Sequence, residues 1–330
     1  MGKAADLIIF TEASPVIGHG HVARCMALAD EAVRRGLIVQ FIVTDRYIAD
    51  IVQAGGHMVC HRAAAHVPFI IHDFRNGSPA KDVTRERSAG SRVMLLDELG
   101  ESRTCATIVA DTFMTPQRAK RYVHAPDVRY LYGLEYAPLR RQFLEAAQDS
   151  KPGFPPEGHL LITFGGSDPL GITHRYLQAL DDCGFRGPAT IVVEGTPEGF
   201  KEASHLTARW KDTNIHQNVA NMAGLMQEAT LVATKLGVTL QESFCLGKGC
   251  VFIEPSPAHV SLEAELARHY TPWPAVEFGL ADEVDFIEAA TKTMEILATP
   301  QRMGEMGRIA AHLVDGQGTI RLIDILTGAN

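Results

Sequence analysis

The sequence lacks the features that mark disulfide-stapled, zinc-ribbon or nucleic-acid-binding proteins. Its six cysteines are scattered along the chain and form no C-x-x-C pair, which argues against a disulfide framework and a zinc ribbon. Lysine and arginine form no run, and the formal net charge of −8 disfavours a phosphate backbone as partner. We therefore expect buried thiols in a reducing compartment and no nucleic acid as a partner.

Long apolar runs are also missing. No stretch approaches the ~18 apolar residues of a membrane-spanning helix. The first apolar run, residues 7–10, is too short for the core of a signal peptide. These absences predict a cytoplasmic protein without a membrane partner; a monomer is plausible, and the oligomeric state is left open.

What the sequence does contain is an alternation of strand-length apolar runs with helical patterns, which is typical of parallel sheets with crossover helices. A first set of predicted strands precedes residue 135 and consists of "DLIIF", "IVQFIV", "VMLLD", "TIVAD" and "VRYLY". A second set lies between residues 160 and 254 and consists of "LLITF", "ATIVVE", "TLVAT" and "CVFIE". The polar, proline-rich segment 146–158 predicts a linker, so we expect domains at 1–150 and 151–330. Three helical patterns follow residue 280, and they could pack on either domain. The predicted architecture is α/β, with two similar lobes and a cleft between them.

The stretch "SPVIGHGHVARCMALADEAVRRG" places two glycines and two histidines just before a helix. Its apolar stripe predicts a helix from about His21 to the glycine stop at Gly36. Unpaired N–H groups at the helix start, together with Gly18 and Gly20, suit an anion or a developing negative charge. His21, with an unperturbed pKa near ~6.5, could then act as a general base, although a lone histidine is more often a cap or a surface side chain.

A dinucleotide-binding turn is an alternative interpretation of the same stretch. Gly18, Gly20 and Ala23 fit the pattern G-x-G-x-x-A, and Asp45 closes the next strand. Seven residues separate Phe10 from Gly18, however, whereas that pattern begins almost directly after its strand. The nicotinamide alternative is therefore the weaker one.

A second glycine turn follows the first strand of the second set. Gly165, Gly166 and Ser167 could cradle a diphosphate with their backbone N–H groups, although the same pattern also occurs in ordinary tight turns. In "TLVATKLGVTLQESFCLGKG", Lys235 could neutralise phosphate charge and Glu242 could accept both hydroxyl groups of a ribose. Together these features favour a nucleoside diphosphate as ligand.

Six motifs in order resemble the UDP-2,4-diacetamido-2,4,6-trideoxy-β-L-altropyranose hydrolases of pseudaminic acid biosynthesis and their spore-coat polysaccharide relatives. The motifs are "IGHGHVARCMALA", "LYGLEYAPLRRQF", "LITFGGSDP", "NMAGLMQEATLVAT", "QESFCLGKG" and "DGQGTIRLIDIL". The resemblance implies a GT-B-type fold of two Rossmann-like lobes, related to the glycosyltransferase that makes peptidoglycan lipid II. It also implies inverting hydrolysis of a UDP-sugar at the anomeric carbon, with no metal or cofactor.

The resemblance also implies roles for individual residues. His21 matches the histidine that activates water, and Glu242 matches the ribose-binding acid. Tyr136 and Arg140 match a "Y-x-x-L-R" motif beside the cleft. The full set of expected substrate-binding residues is Gly18, Gly20, Arg24, Tyr136, Arg140, Gly165, Gly166, Ser167, Lys235, Gln241 and Glu242.

The sequence departs from the family pattern in two places, and alternative functions remain possible for the chain. "TEAS" replaces an expected arginine and aspartate, leaving Glu12, and "TKLGVTLQE" replaces a run of glycine and serine. The alternatives are a GT-B glycosyltransferase with a UDP-sugar donor and a non-catalytic nucleotide-sugar-binding protein of polysaccharide biosynthesis. The histidine-rich segment 57–73 matches no defensible zinc site. Three acids that end strands could bind sugar or simply be polar strand ends: Asp97, Glu98 and Asp111.

Overall fold

The chain divides into two compact units. The first comprises Met1–Arg141 and Gly316–Asn330, and the second comprises Gln142–Asp315. The computed structural model describes residues 4–13, 19–43, 45–60, 66–149, 158–165, 168–193 and 195–329. None of the helices in these ranges combines the length and the apolar character needed to cross a bilayer.

The first unit is built on a parallel sheet of seven described strands in the order β3-β2-β1-β4-β5-β6-β7. The strands are β1 (Leu7–Thr11), β2 (Val39–Ile42), β3 (Met58–Cys60), β4 (Phe69–Asp73), β5 (Arg92–Leu96), β6 (Ile108–Asp111) and β7 (Arg129–Tyr132). Its helices are α1 (Gly20–Arg34), α2 (Arg46–Ala54), α3 (Ala80–Ser88), α4 (Pro116–Ala119) and α13 (Gly318–Thr327). Short 3₁₀ turns span Glu101–Thr104 and Leu134–Tyr136.

The second unit is built on a parallel sheet of six described strands in the order β10-β9-β8-β11-β12-β13. The strands are β8 (Leu160–Ile162), β9 (Ala189–Val192), β10 (Thr213–His216), β11 (Leu231–Thr234), β12 (Gly249–Glu254) and β13 (Ala275–Leu280). The helices are α5 (Arg141–Asp149), α6 (Ile172–Asp182), α7 (Pro197–Leu206), α8 (Met222–Glu228), α9 (Val238–Cys245), α10 (Pro257–His269), α11 (Phe286–Leu297) and α12 (Pro300–Leu313). The predicted α/β class with two parallel sheets is confirmed.

Four strands escaped the sequence prediction: β3, β4, β10 and β13. Three of them are edge strands, which have at most a partly buried surface and so lack a continuous apolar run. The fourth, β4, is central, but its apolar run is short and ends in His72 and Asp73. Polar residues at the end of this strand hid it, and they also carry the candidate site.

The last helix belongs to the first unit. On α13, Leu322, Ile323 and Leu326 are fully buried in the same core as Leu7 and Ile9 of β1. The chain therefore crosses between units twice, after residue 141 and after residue 315, whereas a single division near residue 150 was predicted. The helix α5 packs with the second unit, to which it is hydrogen-bonded. Gln142 donates to the carbonyl of Ala220, and Gln227 donates to the carbonyl of Ala146.

Each sheet has a point where the strand order reverses. In the first sheet it lies between β1 and β4, and in the second between β8 and β11. Open parallel sheets bind ligands outside the carboxyl ends of their strands at this point, because the loops on either side diverge there. Both glycine turns noted in the sequence follow a strand at such a point, β1 in the first unit and β8 in the second.

Candidate functional site

The helix after the first strand begins one residue earlier than predicted, at Gly20. Gly18 and the rest of 14–18 lie outside the described residues. The helix buries Val22, Cys25 and Leu28 on its core face and ends at Arg34, two residues before Gly36, which has a φ of 86°. Its first turn carries no acidic side chain, so its first N–H groups are not offset by an acid of the helix itself.

Asp73 is the centre of a buried hydrogen-bond network. It ends β4, pairs in register with Thr11 of β1, and has no exposed surface. Its Oδ1 accepts from His21 Nδ1 at 2.6 Å and from Arg24 Nη2 at 2.5 Å. Its Oδ2 accepts from Arg24 Nε at 2.7 Å and from Cys25 Sγ at 3.4 Å. One carboxylate thus fixes a histidine and an arginine from the same helix.

This arrangement assigns the proton on the imidazole of His21. An ionised carboxylate can only accept hydrogen bonds, so Nδ1 must carry the hydrogen that Asp73 receives. The other ring nitrogen, Nε2, then has a lone pair, and no described residue donates to it. The side chain of His21 is one-fifth exposed. The buried Asp73 therefore fixes the orientation of the ring, while the ring still reaches solvent.

Electrostatics keep Asp73 ionised. Burial by itself would raise the pKa of this carboxyl, but the charges and hydrogen bonds of Arg24 and His21 outweigh it and hold the pKa well below its usual range. Burial would likewise lower the pKa of Arg24, yet Asp73 and Asp97 raise it. Each partner therefore favours the charged form of the other.

Asp97 extends the network beyond Asp73. It follows β5 with a φ of 48°, in the left-handed region, and its Oδ2 accepts from Arg24 Nη1. Its Oδ1 accepts from the backbone N–H of Thr112 at 3.0 Å. The neighbouring carboxyl of Asp111 is buried, and burial together with the charge of Asp97 raises its pKa to about 8. Two neighbouring acids thus have different surroundings: Asp97 pairs with the cation of Arg24, whereas burial and the charge of Asp97 favour the neutral form of Asp111.

The second candidate site lies at the reversal point of the second sheet. Gly165 follows β8 with a φ of 98°, while Gly166 and Ser167 lie outside the described residues. Asp168 accepts from the N–H groups of Ile172 at 3.0 Å and Thr173 at 2.7 Å and so fixes the start of α6. The glycine turn is therefore followed directly by an anchored helix.

The loop after β11 brings the remaining expected residues to the same reversal point. Glu254 of β12 accepts from the N–H of Leu236 at 2.8 Å, which holds the loop that carries Lys235. Gln241 and Glu242 follow on α9 and are both buried, while Lys235 is half-buried. The sheet thus collects residues that are about 75 positions apart in sequence, and their roles as nucleotide ligands remain a prediction.

Two of the sequence motifs meet in the first unit. The turn that carries Tyr136 receives the start of α13: Thr319 donates to the carbonyl of Leu139 at 2.7 Å, and Arg321 donates to that of Glu135 at 2.9 Å. Tyr136 and Arg140 are half-buried there. This contact gives both motifs a structural role, which is to dock α13 on the first unit. A substrate role for Tyr136 and Arg140 remains a prediction.

Sequence reasoning did not connect Asp73 with His21. The histidines of segment 57–73 were considered for a zinc site, which their spacing did not support. In the structure His72 pairs with Glu86 at 2.7 Å and His57 lies 3.0 Å from Asp30. No group of three metal-binding side chains occurs in the described part of the chain. The available signal was that an acid ends an apolar run; nothing in the sequence could show that this strand lies beside β1.

Known proteins resemble this chain in sequence and in structure. No protein-family model matches the chain. An uncharacterized protein of Methanocaldococcus jannaschii is 24% identical over 265 residues, which are 73% of this chain and 54% of that protein, so the match spans about half its length. The spore coat polysaccharide biosynthesis protein SpsG of Bacillus subtilis is 22% identical over 334 residues, covering 96% of each chain.

Solved structures with the same fold are glycosyltransferases. MurG of Acinetobacter baumannii has a TM-score of 0.67 at 15% identity over 98% of this chain and 99% of that one. The calicheamicin glycosyltransferase CalG4 has a TM-score of 0.62 at 15% identity, over 99% and 98%. Phytolacca americana UGT2, solved with UDP-2-fluoro-glucose and pterostilbene, has a TM-score of 0.65 at 13% identity, over 99% and 100%. The chain therefore has the two-sheet, Rossmann-like fold of the GT-B glycosyltransferases and is distantly homologous to a protein of spore coat polysaccharide biosynthesis.

Proposed function

We propose that this protein is an enzyme acting on a nucleotide sugar, in which His21 removes a proton from an O–H nucleophile that attacks the anomeric carbon. The specific activity proposed is hydrolysis of a UDP-diacetamido-trideoxyhexose, with water as nucleophile and UDP as product. The observation that carries the proposal is the hydrogen bond of 2.6 Å between His21 Nδ1 and the ionised Asp73.

The pairing explains how the histidine would work. Asp73 holds the hydrogen on Nδ1, which leaves the lone pair of Nε2 to take the proton from water. As the imidazolium forms, the carboxylate stabilises its positive charge. Asp73 itself does not become protonated, because Arg24 and His21 hold its pKa low against the effect of burial.

The leaving group accounts for the second set of residues. Negative charge grows on the diphosphate as its bond to the sugar breaks, so the enzyme must offer N–H groups or cations to those oxygens. We propose that the turn of Gly165, Gly166 and Ser167 and the side chain of Lys235 do this, and that Glu242 binds the ribose. The location of these turns at a reversal point of the sheet supports this proposal.

Glycosyl transfer is the second candidate. It is favoured by the glycosyltransferases that share the fold, one of which was solved with UDP-2-fluoro-glucose. The chemistry at His21 is the same, since an acceptor hydroxyl would simply replace water. The two activities therefore differ in whether UDP is released without an acceptor.

The test is UDP release from the diacetamido-trideoxyhexose nucleotide, without acceptor and with EDTA present. We expect release by the wild type and a loss of roughly 10²–10⁴-fold in His21→Ala and in Asp73→Asn, the range for removing a general base. The matched control is His19→Ala, because His19 lies in the same turn but bonds to Tyr47 Oη instead of Asp73.

Each other outcome points to a different conclusion. Release that appears only with an acceptor sugar or lipid would establish the transferase. Tight binding of UDP without turnover under either condition would establish a binding protein. Equal losses in His19→Ala and His21→Ala would reject His21 as the specific base.

A further inference from the structure

Arg24 forms an ion pair with Asp97 in addition to its ion pair with Asp73. Nε and Nη2 of its guanidinium form a two-pronged pair with Asp73, and Nη1 bonds to Asp97. Nη2 also lies 3.3 Å from His21 Nδ1, so a full positive charge borders the imidazole. The side chain of Arg24 is almost completely buried, where charges are poorly screened.

The formal charges of the network depend on Asp97. Asp73 and Asp97 each carry −1 and Arg24 carries +1, so the network is −1 when His21 is neutral and zero when His21 is protonated. Without the charge of Asp97 the same states are zero and +1. Asp97 therefore decides whether protonation of His21 neutralises a charge or creates one.

We propose that Asp97 is a positioning residue for His21: its pairing with Arg24 offsets the guanidinium charge and leaves Asp73 free to stabilise the protonated imidazole. The inference rests on the proposed function of His21 as a base. It assigns a task to an acid that the sequence left open as a sugar ligand or a polar strand end.

The other groups around His21 do not replace Asp97. Burial raises the pKa of Cys25 well above its usual value, with Asp73 adding to the effect, so the thiol stays neutral. Asp111 is neutral at pH 7 because burial and Asp97 raise its pKa to about 8. The imidazole itself contacts Asp73 on β4 and Arg24 on α1. Behind them, Asp73 accepts from Cys25, Arg24 pairs with Asp97 after β5, and Asp97 acts electrostatically on Asp111 of β6. His19 and Tyr47 bond to each other beside the helix start.

The backbone of Asp97 allows its charge to be removed by itself. Its φ of 48° lies in the left-handed region, which asparagine tolerates nearly as well as aspartate. Asp97→Asn can keep the acceptor for the N–H of Thr112 while losing the negative charge. If that variant fails to fold, Asp97→Gly removes the same charge at a conformation that glycine adopts freely.

The experiment is an NMR titration of the histidine ring signals, with the signal of His21 assigned by its absence in His21→Ala. We expect the midpoint of the His21 signal to move to lower pH in Asp97→Asn, because the network around the imidazole loses one negative charge. The matched control is Asp111→Asn, which removes an acid that is already neutral and leaves the titration below pH 7 unchanged. The acidic limb of UDP release against pH should move by the same amount in Asp97→Asn.

The titration needs no turnover, so the two proposals fail separately. A shifted His21 titration in a protein that releases no UDP would reject the proposed hydrolysis and keep the role of Asp97. An unshifted or raised pKa in Asp97→Asn would overturn the inference, even in an active enzyme. An equal shift in Asp111→Asn would also overturn it, since the effect would then not be specific to the partner of Arg24.

Discussion

Neighbouring acids at the carboxyl edge of the first sheet carry different charges because their surroundings differ. Asp73 is ionised by a two-pronged bond to Arg24, and Asp97 shares that cation. Asp111 receives only the N–H of Phe113 among described donors, at 3.2 Å, and lies beside the charge of Asp97. Residue type alone therefore does not decide which of these acids holds His21, which pairs with Arg24 but not with His21, and which is a neutral carboxyl.

The neutral state of Asp111 predicts a pH dependence of stability. Its pKa is about 8 in the folded protein because of burial and the charge of Asp97, against 3.8 ordinarily. The folded state then holds one more proton than the unfolded state between about pH 4 and pH 8. Asp111 thus lowers the free energy of unfolding as pH rises through that window, by at most ~1.4 kcal/mol per pH unit.

Asp111→Asn removes this dependence. We expect the free energy of unfolding of the variant to rise relative to that of the wild type from pH 5 to pH 8.5. Denaturant titration at each pH measures both. Asp282→Asn, which removes an exposed acid, controls for the loss of one surface charge. Parallel stability curves for wild type and Asp111→Asn would show that the carboxyl is ionised throughout.

At the scale of elements, the start of α13 is fitted closely against the turn that contains Tyr136. A Cβ on Gly318 would lie 2.2 Å from the carbonyl oxygen of Ala137 and 2.6 Å from its nitrogen. These are backbone atoms, so the helix or the turn would have to move.

Gly318→Ala therefore tests how closely α13 is docked. We expect a loss of about 1–3 kcal/mol in the free energy of unfolding, the usual cost of overpacking, measured by chemical denaturation. Gly55→Ala is the matched control: its Cβ would also meet an atom at 2.2 Å, but that atom is the flexible end of Met26. Equal losses in both variants would show that the turn yields as easily as a side chain.

At the scale of the whole molecule, one unit is continuous in sequence and the other is made of two segments. This difference predicts which fragments of the chain fold by themselves. The second unit is continuous over residues 142–315, whereas the first unit needs 316–330 from the other end of the chain. The three buried apolar side chains of α13 are worth about 5–9 kcal/mol at ~1.5–3 kcal/mol each, comparable with the whole stability of a domain.

We therefore expect fragment 142–315 to unfold cooperatively and fragment 1–141 not to fold by itself. Joining 316–330 to 1–141 through a flexible linker should restore a cooperative transition. Circular dichroism during heating distinguishes these cases. A cooperative transition of fragment 1–141 without the added segment would show that α13 is dispensable for the first unit.

The sequence by itself determined the local features of this protein. Short apolar runs followed by glycine turns indicate strands that lead into helices, as in β1 with α1, because those signals act over short stretches of chain. The position of His21 at a helix start and the two parallel sheets were predictable on this basis. The edge strands β3, β10 and β13 and the central strand β4 were not predicted, because their apolar faces depend on neighbouring strands.

Only the tertiary structure decided which side chains act together. Asp73 and Asp97 are 52 and 76 residues from His21 in sequence. Asp73 contacts His21 because β4 lies next to β1, and Asp97 reaches Arg24 because β5 lies next to β4. The protonation of Asp111 and the assignment of α13 to the first unit arise in the same way. Burial and charge–charge interactions depend on distances in space, and a pattern along one chain does not contain them.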